Sequence, residues 1–209
     1  EMGDQIEGTG LRKSQLAYTT KSMSKQGIFY REVFTRLLKD LSKKLPKVKI
    51  NIYFITKDNH SELRVHNTGP GNMDDHMAEA IARGIKETID TAQEFGGRTN
   101  VKFTPKDVHI VKSGSTSIYL AHGHQLSKDL TKIPGQLFAD LGEVPDIIVT
   151  GHWHQFRHLT KQVRDGFMGS IVTTPSMVGD TDFAERLHLS SHPGILLMKV
   201  KETHADIEC

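Results

Sequence analysis

The chain has 209 residues, of which 36% are hydrophobic and 25% charged, and its formal net charge at pH 7 is +2. This composition is typical of a globular protein, and so small a net charge does not require a nucleic-acid partner. No apolar run is long enough to span a bilayer, so we expect no membrane-spanning segment. The single cysteine, Cys209, excludes an intrachain disulfide and fits a reducing, cytoplasmic compartment.

The first half of the chain has helical periodicity in two places. The segment from Ile28 to Leu45 has an apolar stripe, and its basic residues lie largely off that stripe. We expect the basic face to be solvated, with nucleic-acid contact as the alternative. The stripe recurs every four residues and consists of Phe29, Val33, Leu37, Leu41 and Leu45. Met73 to about Glu94 predicts a second helix, whose Met and Ile stripe belongs to the core. Between them, the β-branched and aromatic residues of Val48 to Thr56 predict a strand.

Short strands dominate the second half. They are predicted at Val101 to Phe103, Val108 to Val111, Ser117 to Ala121, Asp146 to Thr150, Phe156 to Leu159, Gln162 to Val163, Ser170 to Thr174 and Ile195 to Val200. Leu126 to Leu141 is partly helical in pattern, and Phe183 to Leu187 predicts a short helix. Helices and strands alternate early and strands dominate late, an order that favours an α/β layered sandwich. Because no repeats or clear linkers occur, residues 1–209 are predicted to form one domain.

Four short polar clusters each follow, or are expected to follow, a strand: Gly3-Asp4, Asn59-His60, His122-Gly123 and Gly151-His152-Trp153-His154. Loops beyond strand ends are where α/β proteins place their chemistry. The last cluster can direct two imidazoles into one site. The alternative is that these are two ordinary surface histidines in a loop. Carboxylate, amide and imidazole donors together suit Mn²⁺, Fe or Zn²⁺ better than Mg²⁺ or Ca²⁺.

The clusters, taken in order, resemble the signature of the calcineurin-like metallophosphoesterases. That family has Gly-Asp, then Gly-Asn-His, then His-Gly, then Gly-His-x-His; this chain has GDQIE, DNHSE, AHGH and GHWH, from Asp4 to His154. The resemblance implies a four-layer α/β/β/α sandwich. It also implies a phosphoester hydrolase that uses two divalent metal ions, with Mn²⁺ favoured and Fe or Zn²⁺ as alternatives.

The resemblance also assigns metal-binding roles. Asp4 would bridge the two ions, since one carboxylate can hold two cations a few ångströms apart. Asn59, His122 and His152 would complete one metal site with it, and His154 would serve the other. Two such cations can acidify a shared water and clamp a phosphoryl oxygen.

The remaining assignments concern catalysis and substrate. His60 would protonate the leaving group or stabilise the transition state, and an imidazole with a pKa near neutrality suits a general acid. Arg64 is a candidate phosphate contact, with a solvated arginine as the alternative. His124 is a candidate substrate or supporting residue, and Glu7 would orient a loop or ligand. Trp153 would pack under its loop or stack on a base.

Two departures from the family pattern stand out. The family's opening Asp-x-His strand end does not precede Asp4; such strings occur only later, at Asp58-Asn-His60, Asp74-Asp-His76 and Asp107-Val-His109, and are read as chance. We therefore expect an N-terminally incomplete domain with one full metal site and part of another. Asp58 stands where the family has glycine. Glycine permits a tight turn with a positive φ at this position, and Asp tolerates that conformation better than most residues. Asp58 could alternatively add a metal ligand.

The last third softly resembles phage and bacterial relatives of the SbcD-type DNA repair nucleases, in Thr174 to Leu187 and Ser190 to Ile195. This resemblance favours a nucleic-acid or nucleotide phosphodiester as the substrate. The alternatives are a protein phosphatase, a cyclic-nucleotide phosphodiesterase, or a catalytically impaired scaffold or partner subunit. A homo-oligomer is compatible with the sequence.

Overall fold

The computed structural model describes residues 2–6, 21–62, 76–104, 108–164, 167–177, 192–200 and 205–208. The chain divides into two compact units, the first containing Gly3–Asp107 and the second containing Met2 with Val108–Cys209. Each unit combines helices with strands, so the α/β class is confirmed. The single-domain interpretation stays a prediction. Within the described ranges, no helix is long and apolar enough to cross a membrane.

The first unit pairs two parallel strands. Its elements are α1 (Met23–Lys44), β1 (Ile50–Ile55), α2 (Met77–Thr91), a short 3-10 helix (Gln93–Phe95) and β2 (Thr99–Thr104). β1 runs parallel to β2, and parallel strands need a crossover, which α2 provides. The predicted start of that helix, Met73, lies outside the described residues. The predicted stripe on α2 is confirmed as core, because Ile81, Ile85 and Ile89 are buried.

The predicted apolar stripe on α1 does not face the core of the first unit. Phe29 is 56% exposed and Val33 is 53% exposed. The buried positions of α1 are Gly27, Leu38 and Ser42. The core-facing side of the helix therefore lies about one residue out of phase with the predicted stripe of large apolar side chains.

Aromatic packing and a glycine set the actual buried side of α1. Tyr30 stacks on Phe34 with ring centroids 5.5 Å apart, and Phe34 meets the buried Phe54 of β1 edge to face. A Cβ at Gly27 would lie 3.3 Å from Ile81 Cδ1. The absence of a side chain at Gly27 thus lets α1 approach α2 closely, which a four-residue apolar repeat does not reveal.

The second unit is built on a five-stranded sheet with the order β3-β4-β5-β7-β6. Its strands are β3 (Val108–Ser113), β4 (Thr116–Ala121), β5 (Ile147–Thr150), β6 (Arg157–Arg164) and β7 (Phe167–Thr173). β4, β5 and β7 are mutually parallel, and the outer strands β3 and β6 run antiparallel to their neighbours. The two strand segments predicted between Phe156 and Val163 are parts of β6.

A 3-10 helix (Leu130–Lys132), one α-helix and a pair of antiparallel strands complete the described part of this unit. The helix α3 (Ile133–Leu141) packs Ile133 and Leu137 against Ile148 and Ile171 of the sheet. Ile147 and Val149 belong to a separate cluster. The strands β8 (Leu197–Val200) and β9 (Ala205–Glu208) pair with each other. The predicted helix from Phe183 to Leu187 lies outside the described residues.

The three parallel strands of the second unit end at the same level. Ala121 pairs with Thr150, and Thr150 pairs with Thr173. Because the carboxyl ends of β4, β5 and β7 coincide, the residues that follow these strands leave the sheet side by side. Two of the four polar clusters begin at this edge.

Candidate metal centre

The second unit brings His122 and His152 together. His122 directly follows β4, and Gly151-His152 follows β5, so the aligned strand ends place both loops at one edge. The two imidazole rings meet edge to face with centroids 4.9 Å apart. His122 is only 1% exposed and His152 is half-buried. A buried imidazole beside a second one is an arrangement that metal sites commonly use.

The ring nitrogens have defined roles. His122 Nδ1 lies 2.8 Å from the carbonyl oxygen of Met2, and because a carbonyl can only accept, Nδ1 carries the proton and donates. In the neutral ring His122 Nε2 therefore keeps its lone pair, and it lies 3.2 Å from His152 Nδ1. Two nitrogens bound tetrahedrally to one Zn²⁺ at about 2.0–2.1 Å are about 3.3 Å apart. These two atoms fit a shared divalent ion, and the Met2 carbonyl orients the first ligand.

His124 adds a third imidazole to the same group. Its ring centroid lies 5.3 Å from that of His122 and 6.1 Å from that of His152. The residue between His122 and His124 must be glycine, because Gly123 has a φ of +103° and a Cβ there would lie 3.0 Å from Thr150 Cβ. A substrate or supporting role for His124 stays a prediction.

The loop after β5 has a strained backbone. His152 has a φ of +66° and His154 a φ of +55°, in the left-handed region that side chains other than glycine rarely adopt. Such residues cost on the order of 1–3 kcal/mol each and cluster at functional sites. The sequence pattern gives no sign of this strain. His154 is exposed, and its assignment to a second metal site stays a prediction.

Trp153 packs within the loop that follows β5. Its ring meets that of His152 edge to face, with centroids 4.8 Å apart, and the ammonium of Lys128 lies 6.0 Å from the centroid of the indole. These contacts agree with the packing role predicted for this residue. They also join the loop after β4, which carries Lys128, to the loop after β5.

The first unit brings the loop of Asp4 to the end of β1. Gln5 is buried, and its side-chain amide donates to the carbonyl oxygen of Ile55, the last residue of β1, at 3.2 Å. The chain continues from Ile55 into the turn that contains Asn59 and His60. Asp4 itself has a φ of +56°. The first and second polar clusters thus belong to the same strand end within this unit.

Asp58 shapes that turn in a way the sequence did not predict. It does not adopt the positive φ expected from the family's glycine. Instead its carboxylate is buried and accepts hydrogen bonds from the backbone N–H groups of His60 and Ser61 and from the Ser61 hydroxyl. Both carboxylate oxygens accept hydrogen bonds within the turn, and the alternative that Asp58 adds a metal ligand stays a prediction. Two other candidates, Arg64 and Glu7, lie outside the described residues.

Comparison with known proteins gives one sequence relative and several partial structural likenesses. No family model matches the chain. The chain is 26% identical over 197 residues to the SPbeta prophage-derived uncharacterized protein YonJ of Bacillus subtilis (strain 168). The match covers 91% of this chain and 45% of the relative, so the chain spans less than half of that protein's length.

The structural likenesses are all partial. Vps29 of Entamoeba histolytica in complex with Zn²⁺ matches with a TM-score of 0.36 and 20% identity, over 59% of this chain and 74% of that one. A double mutant of the same protein matches with a TM-score of 0.38 and 21% identity, over 58% and 67%. A Streptococcus pneumoniae protein described as a predicted phosphoesterase matches with a TM-score of 0.36 and 13% identity, over 70% and 68%.

Proposed function

We propose that the chain is a divalent-metal-dependent phosphoester hydrolase of the calcineurin-like metallophosphoesterase type. The observation that carries the proposal is the His122 Nε2 to His152 Nδ1 distance of 3.2 Å, with the first ring fixed by the Met2 carbonyl. Two imidazole nitrogens this close to each other can ligate one borderline metal ion. Their place after aligned parallel strands is where α/β proteins bind ligands.

Asp4 and Asn59 complete this metal site in the proposal. Asp4 follows Met2 by two residues, which is at most about 7 Å of extended chain, and Met2 contacts His122 directly. The loop of Asp4 is also tied through Gln5 to the end of β1, and Asn59 follows that strand. In the proposal His154 would contribute to a second ion, and the Asp4 carboxylate would be available to both.

The chain's own residues have the following roles in the proposed reaction. Bound ions, with Mn²⁺ favoured over Fe and Zn²⁺, supply the Lewis acidity that activates water and polarises a phosphoryl oxygen. The attacking water would release one proton to solvent and form a new P–O bond while the P–O bond to the leaving group breaks. His60 gives its proton to the departing oxygen. This general-acid role matters most when the leaving group is an alkoxide. Arg64 and His124 contact the non-bridging phosphate oxygens.

We assign the substrate to phosphodiesters of nucleic acid or nucleotides, hydrolysed in the cytoplasm. The support is the order of the four clusters and the soft resemblance of the last third to DNA repair nucleases. Lys128 and Trp153, which flank the histidine pair, offer a cation and an aromatic ring. Both suit a strand that carries phosphates and bases.

The test is phosphoester hydrolysis by the purified chain. The protein is stripped with a chelator and reloaded with Mn²⁺, Fe²⁺, Zn²⁺ or Mg²⁺, and its folding is checked by circular dichroism. We expect cleavage of bis(para-nitrophenyl) phosphate that returns only with a transition metal. A folded chain that cleaves no phosphoester with any metal would contradict the proposal, and metal binding without cleavage would favour the scaffold alternative.

A substrate panel tests the finer assignment. Single-stranded DNA, a cyclic nucleotide and a phosphopeptide are compared at equal concentration with the favoured metal. We expect DNA to give the largest kcat/KM. A preference for the phosphopeptide or the cyclic nucleotide would replace the nuclease assignment with a protein phosphatase or a cyclic-nucleotide phosphodiesterase.

A further inference from the structure

The turn between β1 and α2 is organised around one buried carboxylate. Asp58 is 1% exposed. Its Oδ1 accepts from the backbone N–H of His60 at 3.0 Å and from that of Ser61 at 2.7 Å. Its Oδ2 accepts from the Ser61 hydroxyl at 2.8 Å. One side chain thus fixes the backbone on both sides of the peptide that joins His60 to Ser61.

The far end of the same turn is held by α2. Ser61 is fully buried, and its carbonyl oxygen accepts from the backbone N–H of Met77, the first residue of α2, at 2.9 Å. The turn is therefore fastened to β1 at its start, to Asp58 in its middle and to α2 at its end. Asn59 and His60 lie between these fixed points.

We infer that Asp58 is a positioning residue that sets the orientation of His60 for phosphoester cleavage. The inference rests on the proposed function, in which His60 delivers a proton and Asn59 binds metal. A carboxylate that accepts three hydrogen bonds is a strong and specific backbone clamp, because bonds to a charged acceptor are stronger than neutral ones. Both oxygens are used inside the turn, so Asp58 acts through its neighbours.

The chemistry of the position makes Asp58 hard to replace. Glycine or alanine would leave the buried N–H of Ser61 and the partly buried N–H of His60 without this acceptor. Asparagine would keep an oxygen at Oδ1 for both N–H groups, and its amide could donate to the Ser61 hydroxyl. The inference therefore predicts that Asp58→Asn preserves the turn and that Asp58→Ala loses it.

The first readout is hydrogen exchange of the metal-free chain followed by NMR. In Asp58→Ala, the amides of His60 and Ser61 should exchange at least about 10-fold faster than in the wild type, whereas the amide of Phe54 in β1 serves as the unchanged reference. Asp58→Asn should keep both amides protected. Unchanged exchange of His60 and Ser61 in a folded Asp58→Ala chain would overturn the inference.

The second readout is a double-mutant cycle in the metal-loaded chain. On a poor leaving group, Asp58→Ala should lower kcat by about 10- to 100-fold with little change in KM, as loss of an orienting partner does. Asp58→Asn should stay within about 3-fold of the wild type. In a His60→Ala background, Asp58→Ala should have almost no further effect on kcat, because both changes remove the same proton donor.

The outcomes separate the inference from the function it rests on. Equal loss from Asp58→Ala with and without His60 would show that Asp58 does not act through His60, and would overturn the inference while leaving the hydrolase intact. Ser61→Ala, which removes one of the three hydrogen bonds but no backbone donor, should have a smaller effect than Asp58→Ala. An inactive wild-type chain would overturn the proposed function and the catalytic part of the inference together.

Discussion

His122 Nε2 lies 3.2 Å from His152 Nδ1, although the two residues are 30 positions apart in the chain. The distance follows from the sheet, because Ala121 and Thr150 pair across two parallel strands and each histidine comes just after its strand ends. The His122 tautomer follows from the Met2 carbonyl, which occupies Nδ1 and leaves Nε2 for a ligand. The backbone at Met2 therefore orients one ring of this candidate metal-binding pair.

Removing either histidine should weaken metal binding. His122→Ala or His152→Ala takes away one of two nitrogens that converge on the same point, so we expect the affinity for Mn²⁺ or Zn²⁺ to fall by more than about 10-fold. Isothermal titration calorimetry of the chelator-stripped chain measures the loss. His158→Ala is the matched control, because His158 lies on β6 and its ring contacts Ser170 instead. Equal affinities for all four proteins would place the metal elsewhere.

Gly123→Ala should destabilise the chain by at least about 1 kcal/mol and weaken metal binding. The φ of +103° is strained for alanine, and the new Cβ would meet Thr150 Cβ at 3.0 Å. Gly135→Ala in α3 is the control, since nothing lies within 4 Å of its Cβ position, and it should stabilise by about 0.5–1 kcal/mol. Urea unfolding of the three proteins checks both signs. A Gly123→Ala chain as stable as the wild type would mean that the loop relaxes freely.

Asp146→Ala should lower the free energy of unfolding by about 1–3 kcal/mol. Asp146 is buried and its Oδ2 accepts from the N–H and the hydroxyl of Ser117, at 2.8 and 3.0 Å, which fastens the start of β5 to the start of β4. Asp140→Ala is the matched control, because it removes a carboxylate from the exposed side of α3. It should change the free energy of unfolding by less than about 0.5 kcal/mol. Similar losses from both variants would argue against the role given to this contact.

The pKa of Asp129 should rise when Thr131 is replaced. The Thr131 hydroxyl and backbone N–H both donate to the Asp129 carboxylate, and with the nearby Lys132 they hold its pKa below the ordinary value of 3.8. A depressed pKa means that these bonds stabilise the folded chain above the unfolded pKa and are lost as the pH falls through the folded pKa. Carbon NMR titration should show a higher pKa in Thr131→Val and a smaller rise in Lys132→Gln. An unchanged pKa in Thr131→Val would assign the effect to another cause.

Strand positions and polar clusters were predictable because each has a local signature. The apolar run before Gly151 marks a buried central strand, and the histidines after it mark the loop. The buried side of α1 was not predictable from its aliphatic repeat. Its phase is set by Tyr30, Phe34 and the close approach at Gly27, which depend on what α2 and β1 present opposite the helix.

The details of the candidate site were less predictable than its residues. The sequence names His122 and His152 but not which ring nitrogen each would offer, because a partner such as the Met2 carbonyl is backbone and leaves no mark in the residue pattern. Asp58 was read by analogy with glycine as a residue tolerant of positive φ. Its real contribution is a set of hydrogen bonds, and these depend on its burial.

The most direct test of the central claim compares wild type, His152→Ala and His158→Ala in Mn²⁺-dependent hydrolysis of bis(para-nitrophenyl) phosphate. We expect metal-dependent turnover by the wild type and by His158→Ala, and a fall of at least about 100-fold in kcat/KM for His152→Ala, equivalent to about 2.7 kcal/mol. Turnover that is unaffected by His152→Ala, or a folded wild-type chain that cleaves nothing with Mn²⁺, would contradict the central claim.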